Sequence, residues 1–171
     1  MFEGMKMQIL TQIVLTLALS LTAAAFAQDA TWQTLPLTDA RTGETFTLAE
    51  LEGTVYVEPM ATWCSNCRTQ LGNVQAAQAQ VGEGDVTFVA LSVETTLEPA
   101  ALAEYADEQG FDFTFAVMTP ELLRALAAEF GQSVTNPPAT PHFIRYPDGS
   151  RSELMTGFSP PDAVLSAVTV Q

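Results

Sequence analysis

The chain of 171 residues is short of bases, of sulfur and of charge in general. One histidine, two cysteines and six Lys or Arg residues stand beside 20 Asp or Glu, for a formal net charge of −14 at pH 7. The single lysine, Lys6, lies near the start, so every basic residue after it is arginine. A balance of this kind argues against nucleic acid or anionic lipid as a partner, because phosphate recognition needs basic clusters. It leaves room for basic partners, or simply for solubility. With two cysteines and His142 as the only soft or imidazole donors, one chain cannot assemble a four-ligand zinc site. No internal repeat, low-complexity tract or Gly/Ser-rich linker divides the sequence. Charged residues make up only 15% of the chain and apolar ones 47%, which argues against disorder and for one domain with a real core.

The segment from Ile9 to Ala27 lacks charge altogether. Lys6 precedes it, and Ala25-Phe26-Ala27 ends it with a small-x-small pattern. These features resemble a secretory signal peptide over residues 1–27, cut after Ala27. The alternative is an uncleaved anchor, since the run approaches the roughly 20 residues that span a bilayer. No cysteine stands at the cleavage point, so a lipoprotein is not indicated. The remainder, 28–171, is read as the folded domain, and losing Glu3 and Lys6 leaves its net charge unchanged.

Strands and helices then alternate. Trp32 to Leu37 reads as extended, Asp39 to Gly43 as a turn, and Glu44 to Thr47 as the strand resumed. Thr47 is placed to cap a short helical turn, Leu48 to Leu51, that Gly53 stops. Val55 to Glu58 reads as a buried central strand running into Trp63-Cys64. Leu71, Val74, Ala77 and Val81 recur at helical spacing from Cys67 to Val81, with Gly82 as the stop. Val86 to Val93 is a second apolar strand. Helices over Pro99–Gln109 and Glu121–Phe130 flank a short strand within Phe111–Val117. His142 to Tyr146 and Ser152 to Gly157 read as a hairpin turned at Pro147-Asp148-Gly149-Ser150. Ser159 is placed to cap a last helix with Pro160 and Pro161 in its first turn. The order indicates an α/β fold with a mixed central sheet flanked by helices.

Cys64 and Cys67 form a Cys-x-x-Cys pair, which serves metal binding, a structural disulfide or redox exchange. A structural crosslink gains little from so short a loop. A redox pair needs two sulfurs within easy reach, the first at a helix N-terminus where thiolate is favoured. The strand–CxxC–helix order supplies both.

Val57-Glu58-Pro59-Met60-Ala61-Thr62-Trp63-Cys64-Ser65-Asn66-Cys67-Arg68 resembles the active-site segment of the thioredoxin superfamily. The branch it resembles is the exported TlpA/ResA-like thiol-disulfide oxidoreductases, over roughly Leu35 to Val168. The downstream Thr140-Pro141 ahead of a strand, and Asp148-Gly149 after it, belong to the same likeness. The resemblance implies that Cys64 is the exposed nucleophile that attacks a substrate disulfide and that Cys67 resolves the mixed disulfide. It implies that Pro141 is the family's cis-proline beside the cysteines; an ordinary trans turn proline, among Pro137, Pro138 and Pro141, is the other reading. Thr140 would then offer backbone groups to an extended substrate. Glu58, six residues before Cys64, matches a buried acid that exchanges a proton with Cys67; a strand-end glutamate facing solvent is the other reading. Trp63 is expected to pack beside the disulfide and meet substrate, or to be structural. Arg68 reads as a first-turn charge and His142 as a surface or packing residue.

The sequence departs from the family in Ser65-Asn66 between the cysteines, in Gln70 where relatives carry an acid, and in Pro59 and Met60 in place of aromatics. Redox direction is therefore not legible, although reduction is usual in the branch, including preparation of apocytochrome c cysteines. The implied activity is extracytoplasmic, periplasmic protein-disulfide reduction with protein thiol substrates, a membrane-embedded thiol reductase as electron donor, and no cofactor or metal. Two other uses of the fold stay open, a copper chaperone using both cysteines and His142, and a peroxiredoxin-like peroxidase. The peroxidase needs Pro and Thr farther upstream of the cysteine than Pro59 and Thr62 lie.

Overall fold

The computed structural model describes residues 31–81 and 84–169, so the apolar segment 9–27 and Gly82 lie outside the described residues. The central strand is β3 (Thr54–Met60), seven residues that are all buried. Its Val, Tyr and Met side chains need cover on both faces, which only an interior strand obtains. It pairs in parallel with β4 (Val86–Ser92), and β4 pairs in parallel with β5 (Thr114–Val117). On its other side β3 runs antiparallel to β6 (Phe143–Arg145), giving the order β5-β4-β3-β6. Pairing with β6 stops at Val57. Strand β3 is therefore one-sided at Pro59, where the missing N–H of proline is tolerated. A second sheet of two short strands, β1 (Leu37–Thr38) and β2 (Thr45–Phe46), lies ahead of β3.

Helices cover both faces. Helices α2 (Ser65–Gln78), α3 (Pro99–Gln109) and α5 (Pro161–Thr169) bury Leu71, Val74, Leu102, Ala106, Val164 and Val168 with Tyr56 and Met60 of β3. On the other face α1 (Thr31–Thr34) and α4 (Pro120–Phe130) bury Trp32, Leu122 and Leu126 with Val55, Val57 and Phe143. This is a thioredoxin-like α/β fold with a mixed sheet flanked by helices, as the sequence led one to expect.

Four local expectations are corrected. Trp32 begins a helical turn rather than a strand, because its ring is drawn into the core against Phe130 and Phe143 at centroid distances of 5.7 and 5.3 Å. Leu48 to Glu50 is a turn only, although Thr47 and Glu50 form the reciprocal capping pair, Thr47 N–H donating to Glu50 Oε2 and Glu50 N–H to Thr47 Oγ1. The return segment expected over 152–157 meets the strand ahead of it only through isolated bridges, at Arg151 with Arg145 and at Met155 with His142. Ser159 does not cap α5: the first turn closes on Pro160, whose carbonyl accepts from Val164, and Ser159 turns inward instead. Gly53 does stop the preceding turn, with φ of 71°, and an added Cβ would lie 2.6 Å from the Asp85 carbonyl oxygen.

Candidate active site around Cys64 and Cys67

Strand β3 ends at Met60, and Cys64 becomes the N-cap of α2 with extended backbone, φ −85° and ψ 108°. Its N–H donates to the Ala61 carbonyl at 3.1 Å. Cys64 and Cys67 are joined by a disulfide with a Cα–Cα distance of 5.3 Å. Both are buried, Cys64 at 3% exposure, which corrects the expectation of an exposed nucleophile: the start of α2 is packed into the core beside Met60 and Ala61. The Cys67 N–H points at Cys64 Sγ from 3.1 Å, while the Pro137 carbonyl oxygen lies 3.2 Å from Cys67 Sγ. The two sulfurs therefore meet opposite fields. An N–H and the helix N-terminus favour thiolate at Cys64, and a carbonyl oxygen favours the protonated thiol at Cys67.

Strand alternation turns Glu58 to the same face as Tyr56 and Met60, which share a buried cluster with both cysteines. Glu58 is 1% exposed, so the solvent-facing reading is excluded. Neither carboxyl oxygen has a hydrogen-bond partner in the structure. Burial pushes its pKa well above the usual carboxylate range. Such a group is suited to carry a proton at a pH where an exposed glutamate is ionised.

The segment after Asn136 is more closely tied than expected. A 3₁₀ turn, Pro137–Ala139, packs on the start of α2, and Asn66 Nδ2 donates to the Pro138 carbonyl at 2.9 Å. The Thr140–Pro141 peptide bond is trans, correcting the cis expectation; the chain reverses instead through Thr140, at φ 46° and ψ 58°. This left-handed conformation is uncommon for a β-branched residue. Thr140 N–H donates to the Pro137 carbonyl at 2.8 Å, and its own carbonyl accepts from His142 Nδ1 at 2.9 Å. Both backbone groups expected to meet substrate are thus already paired, and Thr140 is buried.

His142 is a buried residue, stacked on Tyr56 with ring centroids 5.5 Å apart. Its Nδ1–H holds Thr140, and its Nε2 accepts from the Ser159 hydroxyl at 3.0 Å. Burial lowers its pKa, against a smaller opposing effect of the Thr140 carbonyl. With both nitrogens engaged, the imidazole is not presented to the sulfurs as a third copper ligand. Among the described residues no group of three or more His, Cys, Asp or Glu is arranged to hold a metal ion.

Trp63 is 63% exposed. Arg68 is exposed in the first turn of α2, near enough to Tyr105 to oppose the rise that burial imposes on that phenol.

Residues 26–143 match the family described as AhpC/TSA. The chain belongs to the AhpC/TSA family. Several solved structures share the fold of this AhpC/TSA member. A thiol:disulfide interchange protein from Chlorobium tepidum is 23% identical with a TM-score of 0.63, covering 78% of this chain and 90% of its own. DsbF of Mycobacterium tuberculosis is 17% identical with a TM-score of 0.60, covering 81% and 95%. A secreted M. tuberculosis disulfide oxidoreductase homologous to E. coli DsbE is 18% identical with a TM-score of 0.57, covering 80% and 95%. At these identities the likeness is one of fold. No curated protein sequence matches the chain at a significant level.

Sequence reasoning missed several residues of this AhpC/TSA member's site. Gln70 is fully buried; its Oε1 accepts from Ser159 N–H at 2.8 Å and its Nε2 donates to the Tyr56 hydroxyl at 3.4 Å. Glu94, just past β4, accepts from both the N–H and the hydroxyl of Thr62. Phe158, 57% exposed, sits between Gly157, whose N–H donates to the Ala139 carbonyl, and Ser159. No local signal marks these roles, because Ser159 and Tyr56 for Gln70, Thr62 for Glu94 and Ala139 for Gly157 are distant in sequence.

Proposed function

We propose that the protein is an extracytoplasmic thiol:disulfide oxidoreductase of the TlpA/ResA-like branch, acting on protein thiols in the reducing direction. The observation that carries the reading is the unequal setting of the two sulfurs, an N–H on Cys64 and a carbonyl oxygen on Cys67. In the reduced protein the Cys64 thiolate attacks a substrate disulfide, forming a mixed disulfide and releasing one substrate thiolate, which takes a proton from solvent. The Cys67 thiol then attacks Cys64 Sγ, its proton passing to Glu58 as the protonated Glu58 gives its own proton to the departing substrate thiolate. The second substrate thiolate leaves, taking up a proton, and the Cys64–Cys67 disulfide closes. Two electrons have passed to the substrate, so a dithiol donor must restore the pair; a membrane-embedded thiol reductase fits an oxidising compartment. The exchange itself requires no cofactor.

Polypeptide substrates are supported by Trp63 and Phe158, the two large apolar side chains exposed among the described residues. Trp63 directly precedes Cys64 in the chain, and Phe158 lies between Gly157, bonded to Ala139 of the 3₁₀ turn, and Ser159, bonded to Gln70 of α2. Thr140 and Pro141 form the loop beyond that turn, and a substrate that pairs with Thr140 must displace one of its internal partners. Residues 1–27 are assigned as a signal peptide or anchor and 28–171 as the working domain, with apocytochrome c cysteines among the candidate substrates. The secreted DsbE homologue among the similar structures supports that location. A peroxidase is disfavoured: Pro59 is buried within β3, and the Thr62 hydroxyl donates to Glu94.

The test is the reduction potential of the pair in glutathione or dithiothreitol buffers, read by the fluorescence of Trp63. A value at or below about −230 mV is expected of a reductant, and one near about −120 mV would reverse the direction. Absence of a reversible two-electron couple would overturn the function.

A further inference from the structure

We propose that Glu94 is a positioning residue that holds the chain ahead of Cys64 and keeps the potential of the Cys64–Cys67 pair low. The inference rests on the redox function above. Glu94 Oε2 accepts from Thr62 N–H at 2.7 Å and from the Thr62 hydroxyl at 2.9 Å, and Oε1 lies 3.2 Å from the same hydroxyl. The Ser92 hydroxyl approaches Oε2 at 3.4 Å. The glutamate is itself held, its N–H donating to Ser92 Oγ at 3.2 Å and its carbonyl accepting from Leu97 at 2.8 Å. Thus the end of β4 grips the residue two places before the nucleophile. Bonds from an N–H to a carboxylate are among the stronger ones a loop can use.

The grip also sets a charge. Two peptide units separate Thr62 from Cys64, so the carboxylate lies at most about 14 Å from the sulfur. Its neighbourhood is otherwise Glu58 on β3, Arg68 on α2 and Tyr105 on α3, whose phenol feels both carboxylates and the guanidinium. Tyr56 and His142 on the β6 side are held neutral by burial. Burial holds Glu58 protonated, so Glu94 supplies the negative charge here and exposed Arg68 the positive one. The disulfide is neutral and the reduced Cys64 is a thiolate, so a nearby negative charge disfavours only the reduced state. That lowers the potential and makes the dithiol a stronger reductant. At a separation near about 12 Å and an effective dielectric of about 20, the shift in the exchange equilibrium is about tenfold.

The test compares wild type, Glu94→Gln and Glu94→Ala by equilibration with glutathione and by the pH profile of Cys64 alkylation. Glutamine keeps an acceptor for the Thr62 N–H without the charge; alanine removes both. Both variants are expected to move the equilibrium about tenfold toward the dithiol, about 30 mV, and to shift alkylation to lower pH. Only Glu94→Ala should also slow exchange with a peptide disulfide, because only it frees Thr62. If Glu94→Gln matches wild type within twofold in both measurements, or moves them the other way, the inference is wrong while the redox function stands. If wild type itself shows no reversible couple, the function fails and the inference with it.

Discussion

Val55 and Val57 point to one side of β3, Tyr56, Glu58 and Met60 to the other. The first side meets Leu48, Leu91, Leu122, Leu126 and Phe143, an apolar cluster joined by Trp32. The second side also holds a large apolar cluster, yet the disulfide, Glu58, Gln70 and His142 are buried there. Gln70 and His142 are joined through Tyr56 and Ser159, whereas Glu58 has no hydrogen-bond partner. A buried carboxyl without partners opposes folding. Its presence on one face only indicates that the apolar face supplies the rigidity against which the polar face can be held in an unfavourable state.

The largest effect should come from the sulfurs. Cys64→Ser is expected to reduce disulfide exchange to the uncatalysed rate, and Cys67→Ala to accumulate a mixed disulfide visible as a mass adduct. Exchange that survives Cys64→Ser would remove the polar face from the chemistry. On the opposite face, Leu126→Ala should cost about 2–5 kcal/mol in denaturant unfolding. It should leave the exchange rate of the folded protein unchanged, since Leu126 lies across the sheet from the sulfurs.

Glu58→Leu is the sharper test, because it should act on stability and activity in opposite senses. Removing the unpartnered carboxyl is expected to stabilise the protein by about 1–3 kcal/mol at pH 7. Without the proton acceptor for Cys67, resolution of the mixed disulfide should slow by about 100-fold. Its pH signature follows from the raised pKa. As pH rises above the ordinary carboxylate range the unfolded chain releases its proton first, so wild-type stability falls until the folded pKa is passed. In Glu58→Leu that decline should be absent.

The smallest expected effect is that of His142, whose pKa shifts the other way. On acidification below neutral the unfolded chain takes up the proton first. Stability should therefore fall from the ordinary imidazole range down to the lowered native pKa, and His142→Phe should flatten that limb of a stability–pH curve. A histidine limb of the opposite slope would show that the imidazole is charged in the fold.

The Cys-x-x-Cys pair, the strand ahead of it and the helix after it were legible because each is a local pattern. An apolar run, a cap position and a helical repeat act within a few residues of one another. The bounds of α3 and the turn at Gly53 were legible for the same reason. The state of Glu58 was half legible: alternation with Val57 assigns it a side of the strand, but only the covering helices make that side dry. Gln70 reads as an ordinary helix residue until Ser159 and Tyr56 are brought to it. Trp63 reads as a shield for the disulfide, but no element of the fold lies over it.

By itself the sequence determined the α/β order, the buried central strand and the placing of the first cysteine at a helix start. Each follows from side-chain spacing and backbone propensity. Tertiary structure alone decided that Thr140 takes a left-handed conformation with both backbone groups occupied. It alone set a proline carbonyl beside Cys67, and Glu94 on Thr62. The last two are pairings between groups tens of residues apart, and their energies exist only once the sheet has brought them together.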